Sequence, residues 1–423
     1  MAVGHGPVFP PELWAHIMQY CSSQTLKVLA LVSRSCCEDA RKRLFRRLYF
    51  SQGWKFALPQ DGVRIRDLTV FQRSLSSSPG WRSAVKNVRL CWTNNGSPHS
   101  WREPDRFENE AEAHLNDLVR DTANLLAEAT TLQSLHLSIP LLDSSVPFAL
   151  TRLDSLTIPI TDCLHNDPNF AAILRLFQIP TLKHVQLDHM LRLNVQIPEE
   201  YCQSETSNVT HLVFAECGPV HKEIAHLLRW PKELQTLEFQ IGEADGLNRF
   251  AYDSGWVDMA SIREALWPLE ECLQHLTVVV LVPDRGDPLE ENGFQSFAKL
   301  RRLNIPIDMF LGLSSGGPYK PGLPIHTRLP RCLEELILQL AEDFWWGDWD
   351  KMEPSEETNY LLSSLAGLAE HRDGWLPNLK EVRISRGEYE PARKRSEWIP
   401  LDSEQIRQFV DLFRSSGISI SFC

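Results

Sequence analysis

The chain lacks most of the short signatures that announce a chemistry. Its ten cysteines form no Cys-x-x-Cys pair and show no metal-ligand spacing, and Cys36 and Cys37 are adjacent, which disfavours a bridge between them. Free thiols in a reducing compartment are the simplest consequence. No Gly-x-Gly-x-x-Gly or Gly-Lys-Ser/Thr phosphate loop occurs, and nothing calls for a cofactor. His221 and His226 are five apart, which misses the i, i+4 spacing that aims two metal ligands from one helix face. No run approaches the ~20 consecutive apolar residues of a membrane span. The opening MAVGHGPVFPPEL has neither the basic region nor the apolar core of a secretory signal. A cytoplasmic or nuclear protein without membrane contact is expected.

What is present is a large and ordinary globular composition. At 423 residues the chain exceeds the roughly 250–300 residues at which single cores stop growing, so several domains or an elongated repeat array must follow. Apolar content of 43% and charged content of 23% allow a substantial interior. The net charge of −12 is unevenly placed: residues 1–50 carry seven Lys/Arg against three Asp/Glu, so the remainder is strongly acidic. That balance argues against nucleic acid as a partner of the long part and favours a basic protein surface.

The first fifty residues read as three short helices. Pro11 suits a first helical position and Glu12 the first turn, ahead of a stripe of Leu13, Trp14, Ile17, Met18 and Cys21. A second helix, about Thr25 to Ser35, carries Leu26, Val28, Leu29, Ala30, Leu31 and Val32 and has almost no polar side. A helix apolar all round is buried all round. The third, roughly Cys36 to Leu48, sets Ala40, Leu44, Phe45 and Leu48 against Arg41, Lys42, Arg43, Arg46 and Arg47. So small a cluster cannot cover its own central helix. Either the following domain or a separate partner supplies the cover.

The stretch FPPELWAHIMQY…TLKVLALVSRSCCEDARKRLFRRLYF, residues 9–50, resembles the F-box, especially its fungal members: Pro-Pro-Glu-Leu-Trp at the start, Leu-Val-Ser-Arg in the middle, Leu-Phe-Arg-x-Leu at the close. Phe9 stands where the family usually has Leu, and Cys36-Cys37 stand near a common aromatic position; both are apolar swaps. The resemblance implies docking on the adaptor Skp1 and, through it, on a cullin–RING ubiquitin ligase. Carried over by position, the contacts would be Pro10, Pro11, Leu13 and Ile17 of the first helix, Leu29, Val32 and Ser33 of the second, and Leu44, Phe45 and Leu48 of the last.

After residue 50 one phrase returns, apolar-x-x-apolar-x-apolar. It begins at Val85, Leu132, Leu153, Leu182, Val209, Leu234, Leu273, Leu300, Leu333 and Leu379. Its last three positions alternate with the period of a strand that buries one face. Helix-like segments lie between the phrases, at 110–129, 168–178, 261–273, 355–371 and 403–413. A strand and a helix repeated in this way predict a solenoid. The stretches 74–80 and 314–324 read as loops.

These units resemble leucine-rich repeats, which implies an α/β solenoid over residues 51–423 with parallel strands on the concave face, following an F-box over 1–50. Spacing runs irregularly, from 21 residues (Leu132 to Leu153) to 47 (Val85 to Leu132), and the Asn/Cys that usually ends the repeat consensus is mostly absent. At ~4.8 Å per strand, ten strands span roughly 45 Å, room for a footprint of ~800 Å². The x between the last two apolar positions faces solvent or a target: His136, Thr157, Gln186, Val213, Glu238, Thr277, Asn304, Ile337 and Arg383.

Two further features compete for a role. GLSSG, residues 312–316, matches the Gly-x-Ser-x-Gly elbow of hydrolases, but that elbow needs a helix directly after the serine. Pro318, Pro321 and Pro324 oppose one, which argues against Ser314 as a nucleophile. The stretch AEDFWWGDWDKMEPSEE, residues 341–357, sets Trp345, Trp346 and Trp349 among acids, a composition suited to a basic peptide segment. A loop that packs its rings on its own solenoid would look the same. The expectation is therefore a non-enzymatic substrate receptor of an SCF-type ubiquitin ligase, with an interaction scaffold that binds Skp1 without assembling a ligase as the alternative.

Overall fold

Every one of the ten phrases lies on a strand. The computed structural model describes residues 13, 16–32, 34–52, 63–65, 68–77, 84–92, 121, 131–138, 152–159, 170–188, 204–217, 224–241, 259–280, 293–307, 323–340, 354–386 and 403–422. The chain forms two compact units, one of Met1–Ile160 with Ala171–Val185, the other of Thr161–Phe170 with Gln186–Cys423.

The first unit opens with helices α1 (Ser23–Val32) and α2 (Arg34–Leu44), then strands β1 (Arg47–Gln52) and β2 (Val63–Ile65) and helix α3 (Leu68–Ser77). Strands β3 (Asn87–Trp92), β4 (Ser134–Ser138) and β5 (Ser155–Pro159) follow. These strands are all parallel, in the order β2-β1-β3-β4-β5. Helix α4 (Phe170–Phe177) and strand β6 (His184–Asp188) contain the points at which the units divide.

The second unit alternates strand and helix: β7 (His211–Cys217), the single turn α5 (Ala225–Leu228), β8 (Thr236–Ile241), α6 (Met259–Leu266), β9 (His275–Val280), β10 (Arg302–Pro306) and β11 (Glu335–Leu340). It closes with α7 (Pro354–Glu370), the short α8 (Arg372–Trp375), β12 (Glu381–Arg386), α9 (Ser403–Ser415) and β13 (Ser419–Phe422). Short 3₁₀ turns stand at Trp267–Leu269 and Ile325–Arg328. Strands β7 to β13 form an open parallel sheet in chain order.

The phrase explains the architecture residue by residue. Its first and fourth positions are at most 3% exposed in all ten copies, from Val85 and Val88 through Leu379 and Val382. The second position carries the main-chain link between repeats. Its carbonyl accepts the N–H groups of the second and third positions of the next copy: Gln274 and His275 donate to Gln235 O, Arg301 and Arg302 to Gln274 O, Glu334 and Glu335 to Arg301 O. The first unit has the same ladder, through the carbonyls of Lys86, Gln133 and Asp154. Each repeat therefore satisfies the backbone of its neighbour while its leucines fill the interior.

Two local expectations are corrected. The third helix ends at Leu44, not Leu48, because Phe45-Arg46-Arg47-Leu48-Tyr49-Phe50 is itself a copy of the phrase. Leu48 and Phe50, 2% and 5% exposed, alternate with half-buried Tyr49, and β1 pairs with both β2 and β3. The Arg46 carbonyl starts the ladder, accepting from Lys86 and Asn87. Likewise Ser74–Ser77 finish α3 and are no loop; Phe71 anchors that helix at 7% exposed.

Candidate functional site

The helical pair α1–α2 is built around a very small interior. The Ser22 hydroxyl accepts the Thr25 N–H at 3.2 Å and meets the Thr25 hydroxyl at 2.9 Å, which caps α1. Met18, Leu26, Ala40 and Leu44 are buried together, with Cys21, Leu29 and Ala30 packed partly against them. The 3.0 Å Lys42–Glu38 pair lies on the surface and contributes little.

What this interior leaves out is more informative. Leu13, Ile17, Tyr20, Val28 and Leu31 are 48%, 43%, 78%, 57% and 87% exposed. On α1, Leu26, Leu29 and Ala30 face inward at i, i+3 and i+4, and Val28 and Leu31 fall on the opposite stripe. Full burial of a side chain of this size is worth roughly 1.5–3 kcal/mol, a stabilisation that these exposed side chains forgo within the described fold.

The residues singled out from the sequence divide accordingly. Leu13 and Ile17 are exposed, Leu29 and Phe45 partly buried. Leu44 closes the helical interior and Leu48 lies inside the sheet, so in this fold neither presents its side chain outward. Pro10, Pro11, Ser33 and the side chain of Val32 lie outside the described residues, as do Trp345, Trp346, Trp349, His221 and Ser314. Tyr20, Val28 and Leu31 were not singled out. The signal lay in the stripe opposite Leu26 and Leu29, but a helix apolar on every side does not say which side its own chain will cover.

A second candidate surface is the sheet face opposite the leucines. In the first unit Arg89, His136 and Thr157 stand side by side in register. His136 is pushed down to about 4, chiefly by burial and secondarily by the Arg89 guanidinium. In the second unit Val213, Glu238, Thr277, Asn304, Ile337 and Arg383 form one row across six strands. All but Ile337, which is buried, are half-buried. Polar groups there hold one another: Gln240 Nε2 donates to Glu238 Oε1 at 2.6 Å and Gln339 Nε2 to Asn304 Oδ1 at 2.7 Å. In β6, Gln186 Nε2 donates to Asp188 Oδ1 at 2.7 Å.

The adjoining row carries charge. Glu335 meets Arg302 and Arg383, each at 3.3 Å, and Arg383 Nε donates to Glu381 at 2.7 Å. That bond to Arg383 holds the Glu381 carboxyl below the usual carboxylate range. The result is a pre-ordered lattice of donors and acceptors at strand spacing. Among the described residues no three of His, Cys, Asp and Glu are placed to hold a metal ion, and no helix is long and apolar enough to cross a membrane. His226 sits half-buried in α5. No protein-family model matches the chain, and no curated protein matches it.

Proposed function

We propose that this chain is a substrate-recognition subunit of an SCF-type E3 ubiquitin ligase, an F-box protein with a leucine-rich-repeat-like array. The observation that carries the reading is the exposed apolar flank of the α1–α2 pair, with Leu31 87% exposed beside an interior in which, among the described residues, Met18, Leu26, Ala40 and Leu44 are buried. A flank of that kind is stabilised by a partner, and residues 9–50 resemble a module whose partner is Skp1. The repeat array would present its outward rows, His136, Gln186, Glu238, Asn304 and Arg383 among them, to the target protein. The chain would bind and position, and the transfer chemistry would belong to the assembled ligase.

Co-expression of the full chain with Skp1 and a cullin tests this. A complex of all three is expected. Recovery of Skp1 without the cullin would reduce the chain to a Skp1-binding scaffold, and failure to recover Skp1 would remove the proposal.

A further inference from the structure

In the second unit the turn Ile325–Arg328 packs against α7 and α8. His326, in that turn, is 7% exposed. Its ring lies on that of His371 with centroids 4.2 Å apart and planes 34° apart, and Trp375 approaches edge-on at 5.9 Å. Gly367 on α7 lies close against the ring, since a Cβ there would come within 3.2 Å of His326 Nδ1. That nitrogen is buried and has no hydrogen-bond partner.

A neutral imidazole can leave one nitrogen bare, but an imidazolium carries a proton on both and needs an acceptor at each. Nδ1 has none, and a second charge on the His371 ring would repel the first. Among the described side chains, the charged groups on these elements are Glu370 at the end of α7, His371 just after it, Arg372 and Asp373 at the start of α8, and Arg328 in the turn itself. Arg372 is directed at Ser416 O, 2.5 Å away, and Arg328 at Leu323 O. Of these groups Glu370 alone favours a proton on His326, and its effect is smaller than those of burial and His371.

We propose that the His326–His371 stack is an acid-sensitive latch, which holds the 325–328 turn against α7 and α8 at neutral pH and releases it on acidification. Burial first, and His371 second, hold His326 below the ordinary histidine range. The opened form therefore takes up a proton before the closed form does. The latch is at full strength above about pH 6.5 and weakens below it, with an opening equilibrium that rises up to about tenfold per pH unit.

Amide hydrogen exchange on the full chain at pH 7.5 and 5.5, corrected for intrinsic rates, tests the latch. Peptides covering 325–329 and 371–376 should lose protection at the lower pH, by up to about tenfold, with β8 unchanged. His326→Phe keeps a flat ring but takes no proton, and should hold its protection at both pH values. His371→Phe, which removes the second charge, should show a smaller loss than the wild type and stands in if His326→Phe does not fold. Equal wild-type protection at both pH values, an equal loss in β8, or a full loss in either variant would overturn the proposal.

Discussion

Replacing Gly293 by alanine tests how the second unit is locked together. The new methyl would lie 2.4 Å from Arg328 O and 2.5 Å from Arg328 Cβ. Neither atom is the far end of a flexible chain, so the 293–297 segment or the 325–328 turn must move. Movement strains two bonds: Phe294 N–H donates to Arg328 O at 2.7 Å, and Arg263 Nε donates to Gly293 O at 3.0 Å. Arg263 also holds Glu270 and the Ser296 hydroxyl and lies 5.0 Å over the Phe297 ring, so the disturbance reaches a network. Overpacking costs about 1–3 kcal/mol, and one weakened hydrogen bond adds about 0.5–1.5. The expected loss is about 2–4 kcal/mol. Gly374→Ala is the control, because nothing lies within 4 Å of its Cβ and alanine favours its helix by up to ~1 kcal/mol. In urea, at a slope near ~3 kcal/mol/M, Gly293→Ala should lower the midpoint by about 1 M and Gly374→Ala should not lower it. Equal midpoints for the two variants would refute the tight apposition of Gly293 and Arg328.

Two further outcomes follow from buried groups. His136 should stay neutral from pH 8 to 5 in an NMR titration, as a folded value of about 4 requires. Because the unfolded chain takes its proton near ~6.5, the stability that His136 contributes is full above that pH and is lost as pH falls toward about 4; a His136 signal titrating near 6.5 would contradict its burial. Cys217, fully buried with its thiol pushed well up by burial, should resist iodoacetamide in the native chain while half-buried Cys21 and Cys37 react. Peptide mass spectrometry reads the order, and early labelling of Cys217 would show that β7 opens.

The repeat was legible because its signal is local. The leucines and valines at first and fourth positions are buried in every copy, and a strand that buries one face prints that alternation in a few residues. Where the same local rule met a competing pattern it was missed. Phe45 to Phe50 carries the phrase, but its two arginines also continue the basic face of a helix. Strand β2 has only three residues, and β13, Ser-Ile-Ser-Phe, follows Ile418 directly without the two-residue gap. Serine-rich 74–77 hid the end of α3, whose anchor Phe71 lies earlier. The candidate site was legible only in part, for a different reason. Leu13 and Ile17 could be named from position, but the exposure of Val28 and Leu31 depends on which side of α1 the chain itself covers. The His326–His371 stack joins residues far apart in sequence and leaves no local pattern at all.

The most direct measurement of the central claim is calorimetric titration of Skp1 into the full chain and into the double variant Val28→Asp, Leu31→Asp. Both positions are more than half exposed, and aspartate in a helix costs at most about 0.7 kcal/mol per site, so the melting midpoint should hardly move. A partner that covers these side chains loses roughly 1.5–3 kcal/mol for Leu31 alone and meets two uncompensated charges. The account predicts wild-type binding and a Kd weakened at least about a hundredfold in the variant. Absence of wild-type binding, or a variant Kd within about twofold of wild type, would contradict it.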